Sequence, residues 1–414
     1  MKHIGLITPG IIGLVLVFPT LLIAEVPILN NPFVPPVQRT IEMEEIWRIG
    51  DNEDEVFMFG VIGQVFSDEE GNFYLLDTQL HEVFKFSPEG RYLKSVTQNG
   101  EGPGEINMCY FCDFWDEASI GCINIFPKAI VRFDADGLPL SNLKATPMDD
   151  LGSEETISLF RFSRRDGFMV GYGQHFIYEN GESNNVSFLS VFDDQVNEIH
   201  RFAQQPTGYN FRKPITVDEE GDFVPHGRWA LGNGGEIYLV PDRTGFLVEV
   251  RDLQGNLLRK ISREWEMRKR TKEEKDEAKN QWTFGSNGVN IPEISYRISD
   301  YPRTIGYLDW IDGQLWVTTS ETAKKSLETN SRVVDVFDPA GHLLEERTYR
   351  LPYDKEKDQV HWLSHGRAVV VKNIRSARMA ATPSDLQMQT GEGKEEFSDE
   401  EDSILEVILY RVKN

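Results

Sequence analysis

The most closely spaced side chains with chemical potential are the three cysteines, Cys109, Cys112 and Cys122. If Asp116 to Ala118 form a hairpin tip centred on Glu117, Cys112 and Cys122 stand equally far from the tip. They then face one another across the ladder, where a disulfide can close. Cys109 is left over. Cys109 and Cys112 as a C-x-x-C pair could instead open a zinc site, but only Cys122 follows and no His lies nearby, so the fourth ligand is missing. Asp113 rather than His follows the pair, which rules out covalent haem attachment. The expectation is a buried apolar cluster with a Cys112–Cys122 bridge and no metal.

A second group is basic and aromatic: His226, Arg228 and Trp229, then Arg303, then His361 and His365. All fall near the starts of repeats described below. Converging on one mouth of a channel, they would make a positive, aromatic-lined pocket suited to a small anionic or sugar-like ligand. The plainer alternative is that these side chains only bond to loop carbonyls and neighbouring carboxylates. Other motifs do not hold. Gly100 to Glu105 (GEGPGE) is no phosphate loop, because Pro103 lacks a backbone donor and no Lys-Ser/Thr pair follows. Asp134, Asp136 and Gly137 echo a calcium loop but lack its later ligands, leaving an ordinary turn. Asn185 to Ser187 forms a glycosylation sequon. No Ser-His-Asp or Cys-His set is identifiable without geometry.

The 67 acidic and 43 basic residues leave a formal charge of −24. That field repels phosphate backbones and argues against nucleic acid as a partner. With 40% hydrophobic and 11% aromatic residues, the 414-residue chain has ample material for a core. Residues 1–24 read as a signal peptide: Lys2, an uncharged apolar run from Ile4 to Ile23, then Ala24 before Glu25. Pro9 and Pro19 interrupt a spanning helix, yet the run is nearly long enough to anchor, so membrane contact is expected only if it stays uncleaved. The implied location is periplasmic or extracellular. Residues 25–39, with Pro27, Pro32, Pro35 and Pro36, read as an extended Pro-rich linker.

The elements that must position these residues are repeats. One phrase recurs: a Gly turn, a short apolar strand, a gap, a second strand ending in an aromatic and Asp, another Gly turn, and a third strand. Copy one is Phe73 to Asp77 (FYLLD), Glu82 to Ser87 (EVFKFS), Gly90 and Tyr92 to Val96; copy five is Gln314 to Thr318 (QLWVT), Arg332 to Asp338 (RVVDVFD) and Gly341 onward. Four more copies start at Gly121, Gly167, Gly235 and Gly366. An apolar stretch precedes each copy and supplies a fourth strand: Val61 to Phe66, Cys109 to Phe114, Ile157 to Phe162, Trp229 to Leu231, Ile305 to Trp310 and Val360 to Leu363. The last copy lacks a strand, and Thr40 to Ile49 is spare. The fold expected over residues 40–414 is therefore all-β: a six-bladed β-propeller with four-stranded antiparallel blades, the N-terminal strand closing the last blade. A pair of β-sandwiches is the competing architecture. Two insertions are expected, one helical at about 262–300 and an acidic loop at about 374–402.

The blade phrases GNFYLLD with EVFKFSPEGRYLKSV and GQLWVTT with RVVDVFDPAGHLLEE, together with the GEGPGE linker, resemble NHL-repeat-like bacterial six-bladed β-propellers. The resemblance runs loosely from about residue 40 to the C-terminus and implies the fold and an exported setting more than an activity. Hydrolase and lactonase propellers of this kind hold an axial calcium through Glu, Asn and Asp from separate blades. Here carboxylates and amides do not recur at the starts of the first strands, so no cofactor is evident and the axial calcium rests on the resemblance alone. The functional expectation is a monomeric, exported ligand- or protein-binding module rather than an enzyme. The alternative is a metal-dependent hydrolase, lactonase or lyase with its site at the axial channel, and a structural envelope component comes third.

Overall fold

The computed structural model describes residues 26–50, 58–124, 128–144, 155–165, 167–179, 182–209, 213–223, 226–282, 293–381 and 405–413. The signal-peptide segment lies outside these residues. Six blades of antiparallel strands follow one another along the chain; blades five and six are continuous through one shared strand, and Ile215–Asp218 pairs in parallel with Ile294–Arg297 outside the blades. Their innermost strands are Ile62–Ser67, Cys109–Asp116, Glu155–Arg165, Trp229–Leu231, Ile305–Ile311 and Gln359–Leu363. The innermost strand of blade six contacts that of blade one, so the array closes into a ring.

Successive side chains of a strand point to opposite faces, and in a ring of sheets both faces are covered. In Phe73–Asp77, Phe73 and Leu75 enter the core shared with blade six, while Tyr74 and Leu76 enter the core shared with blade two. All five residues are buried, which is why this strand reads as an uninterrupted apolar run rather than an alternation. Six such cores, one between each pair of neighbouring blades, hold the ring together.

The recurrent aromatic-Asp-x-x-Gly phrase is a turn device. Asp134, Asp193, Asp252 and Asp338 each end a blade's third strand and accept hydrogen bonds from backbone N–H groups two to four residues on. The closing residue needs positive φ, supplied by Gly137, Gly255 and Gly341. Blade three, which has no Gly there, forces Val196 to φ 64° instead.

The strand Gln38–Ile49 is longer than the spare strand read from the sequence and serves two blades. Gln38 to Glu42 pair in parallel with Leu343–Arg350 of blade five, and Met43 to Ile49 pair antiparallel with Val407–Val412, completing blade six. The linker reading of residues 25–39 needs correcting: Ile28–Asn31 forms a fifth strand on blade four, parallel to Leu257–Arg263. This segment has no proline, so its donors are free for the ladder. Asn31 fixes it by donating to the Ser262 and Gly341 carbonyls and accepting from the Leu343 N–H.

One inserted helix was expected, and the described residues contain three. The first, Lys272–Asn280, has a reciprocal capping box between Thr271 and Glu274. The second, Ser320–Thr329, joins two strands of blade five and has the same device in Thr319 and Thr322. The third, Ile374–Ala381, occupies the start of the expected acidic loop, most of which lies outside the described residues. No described helix is long and apolar enough to cross a membrane.

Candidate functional site

The innermost strands of all six blades line an axial cavity of about 570 Å³. Each inner strand presents its edge to the axis, and a polar residue within it that does not join the apolar cores on either side lies against the cavity. Gln64, Asp113, Arg161, Asp309 and His361 are such residues, one from every blade except the fourth, and all five line the cavity. Blade four contributes Trp229, and Trp310, Trp362 and Tyr110 add aromatic surface.

Three of the five polar groups are engaged by the protein. The Gln64 carbonyl accepts from the Cys112 N–H at 2.9 Å, Asp113 from the Phe114 N–H at 2.8 Å, and Asp309 pairs with Arg332 at 2.9 Å. Two are not. The Arg161 guanidinium hydrogen-bonds no described residue and lies over the Trp229 indole, 5.5 Å from the ring centroid. His361 Nε2 is enclosed with no partner, as is Trp229 Nε1. Burial, then the charge of Arg378, pushes His361 down to about 4, so its imidazole is neutral near neutral pH. Burial pushes Asp113 up to about 6 against the opposing pull of the Phe114 N–H, Arg165 and Arg161. The channel thus keeps two arginines, Arg161 and Arg165, beside Asp113, whose carboxyl resists ionising, while its second carboxylate, Asp309, is paired with Arg332.

The basic and aromatic residues picked out from the sequence do not all converge. Trp229 and His361 line the channel. His226, Arg228 and Arg303 form a cluster at the face where the inner strands begin: each cation acts electrostatically on His226, and Arg303 on Arg228. His365 lies at the opposite face. It sits in the turn that follows Gln359–Leu363, exposed, its N–H donating to Asp312 in the corresponding turn of blade five. Arg303 instead precedes the inner strand Ile305–Ile311. The expectation of a single mouth therefore fails for His365, because a residue after an inner strand and one before it are separated by the strand's length.

Cys112 and Cys122 are register partners and joined by a disulfide, while Cys109 is a buried free thiol with its Sγ 3.6 Å from that of Cys112. Among the described residues, these cysteines form the group of three potential metal ligands whose donor atoms lie together. With two of the sulfurs bonded to each other, the set does not fit a metal in this state.

Residues 53–204 match a family model described as a 6-bladed beta-propeller. The chain is a six-bladed β-propeller. Similar solved structures include a Bacteroides vulgatus protein (11% identity, covering 90% of this chain and 99% of that one, TM-score 0.47). A Bacteroides fragilis protein inferred to be exported has 13% identity, covers 94% and 100% of the two chains, and gives a TM-score of 0.44. Virginiamycin B lyase from Staphylococcus aureus has 7% identity, covers 88% and 99%, and gives 0.37. No curated protein matches the propeller. At these identities the likenesses say nothing of activity.

Proposed function

We propose that this propeller is an exported binding module that captures a small anionic ligand carrying a ring in its axial channel. The observation that carries the reading is Arg161: a cation in a cavity shared by all six blades, stacked on Trp229 and without a hydrogen-bond acceptor from the described protein. Arginine presents a planar fork of donors that matches carboxylate or phosphate oxygens in pairs. The tryptophans around it offer faces for a ring, and the cavity volume falls within the range of small-molecule sites. Export is supported by the uncharged apolar run at Ile4 to Ile23 and by the Cys112–Cys122 disulfide, a bond that persists in oxidising compartments.

Thermal denaturation with phenyl phosphate or benzoate tests the reading. A saturable rise in Tm that is lost in Arg161→Ala supports it. No response from the wild-type protein to either compound, or an equal response from the variant, counts against it.

A further inference from the structure

Arg228 lies immediately before the inner strand of blade four and is 1% exposed. Its Nε and Nη1 are enclosed without a hydrogen-bond partner, and its side chain makes no ion pair with a described residue. The guanidinium is packed on the Phe223 ring, its carbon 3.1 Å from the ring centroid, which fixes the plane of the fork. Around it stand more cations than anions. Arg303 and Arg243 both oppose the Arg228 charge, and Arg243 is already committed to Glu219 at 2.5 Å. The remaining nearby carboxylate, Asp222, is pushed up by burial; it attracts Arg303 and Arg228 electrostatically but forms no ion pair with either among the described residues. His226 lies tilted against Tyr172, ring centroids 5.2 Å apart, and its pKa is lowered by burial and by Arg161, Arg228 and Arg303.

A buried cation that the protein leaves unpaired is destabilising unless something else neutralises it. Two arginines with free donors, beside an imidazole and an aromatic ring, supply the donors and the charge that an oxyanion requires. We infer that Arg228, Arg303 and His226 form a second site, separate from the axial cavity, that binds a small oxyanion at the face where the inner strands begin. The site takes a phosphate, sulfate or carboxylate group through an unpartnered donor of Arg228, with Arg303 adding charge at the rim. It does not depend on the channel reading, because Arg161 and the channel tryptophans are not among its donors.

The experiment is thermal denaturation of the full chain in increasing inorganic phosphate, sulfate or acetate, with sodium chloride at matched ionic strength as control. A saturable rise in Tm is expected with at least one oxyanion and not with chloride. Arg303→Ala should weaken the apparent affinity about tenfold or more. Arg228→Met removes an unneutralised buried charge, so it should raise the ligand-free Tm while abolishing the oxyanion response. Arg161→Ala removes one cation that acts on His226, so it should weaken that response without abolishing it. The inference is overturned if no oxyanion shifts the wild-type Tm beyond the chloride control, or if Arg228→Met and Arg303→Ala respond like wild type. It also falls if Arg161→Ala alone abolishes the response, an outcome that places the oxyanion in the channel and leaves the channel reading standing.

Discussion

Arg161 of blade three lies over the indole of Trp229 in blade four, its guanidinium carbon 5.5 Å from the ring centroid. The contact crosses the seam between two blades and places a cation over the ring while its donors stay uncommitted. Stacking of this kind is worth about 0.5–2 kcal/mol and orients the fork without neutralising it. An arginine held in place but lacking an acceptor is the arrangement from which the channel reading grows.

Asp113 should give the channel a pH dependence. Its carboxyl, ordinarily near 3.8, is pushed up to about 6 by burial. Between those values the folded chain holds a proton there that the unfolded chain has released. Its contribution to stability is therefore fully present below about 4 and lost as pH rises through about 6. Denaturant unfolding of wild type and Asp113→Asn across this range should show the wild type losing on the order of 2 kcal/mol relative to the variant. A constant difference between the two would be evidence against a buried Asp113 carboxyl.

The disulfide gives a prediction readable by mass. Alkylation without denaturant should label none of the cysteines, since Cys109 is buried and Cys112 and Cys122 are bonded to each other. Unfolding without reductant should expose one thiol, and its peptide should contain Cys109. Replacing Cys122 by Ser should lower stability by about 3 kcal/mol, from the entropy of the short loop that the bond closes. Recovery of three free thiols from the oxidised protein would refute the pairing.

Arg263 and Asp335 form a buried ion pair, 2.6 Å apart, between blades four and five. Arg263 also donates to the Pro32 and Phe33 carbonyls, so the pair anchors the N-terminal segment that follows the fifth strand of blade four. Asp335→Ala strands a buried cation and should cost about 3–5 kcal/mol. Lys94→Ala, which breaks the exposed pair with Asp136, should cost less than about 1 kcal/mol. Denaturant midpoints of the two variants check the contrast.

The N-terminal clasp is tested through Trp47. Its indole N–H donates to the Pro88 carbonyl at 3.0 Å, and its ring meets Phe73 edge-on at 5.3 Å, so the strand that completes blade six also grips blade one. Trp47→Ala should destabilise the ring by about 2–4 kcal/mol, lowering Tm with no change in the far-ultraviolet spectrum of the folded state. An unaltered Tm would mean that closure does not depend on this strand.

The blades were legible in the sequence because both sheet faces are buried and the turns are fixed by local chemistry. FYLLD and the aromatic-Asp-x-x-Gly turns carry their structure within a few residues. The fifth strand Ile28–Asn31 was hidden because its partner, Leu257–Arg263, lies more than two hundred residues away and parallel pairing leaves no turn signal. Its proline-rich surroundings also pointed to a linker. The helix Ser320–Thr329 fills the gap between two strands of copy five, and Thr319-x-x-Thr322 marks its start. Of the channel residues, Trp229 and His361 were legible as candidates, whereas Gln64, Asp113, Arg161 and Asp309 lie within the first strands and not at the repeat starts where basic and aromatic residues cluster. A polar residue interrupting the first apolar strand of successive repeats was the signal available. Which strand end His365 occupied relative to Arg228 and Arg303 was fixed by ring geometry, which spacing along one chain does not encode.

The most direct measurement of the central claim is isothermal titration calorimetry of phenyl phosphate into the full chain, repeated with Arg161→Ala and with Arg228→Met. The channel account predicts saturable binding to the wild-type protein, weakened about tenfold or more in Arg161→Ala and retained in Arg228→Met. Equal affinity in wild type and Arg161→Ala would contradict it, as would heats too small to saturate in the wild-type protein.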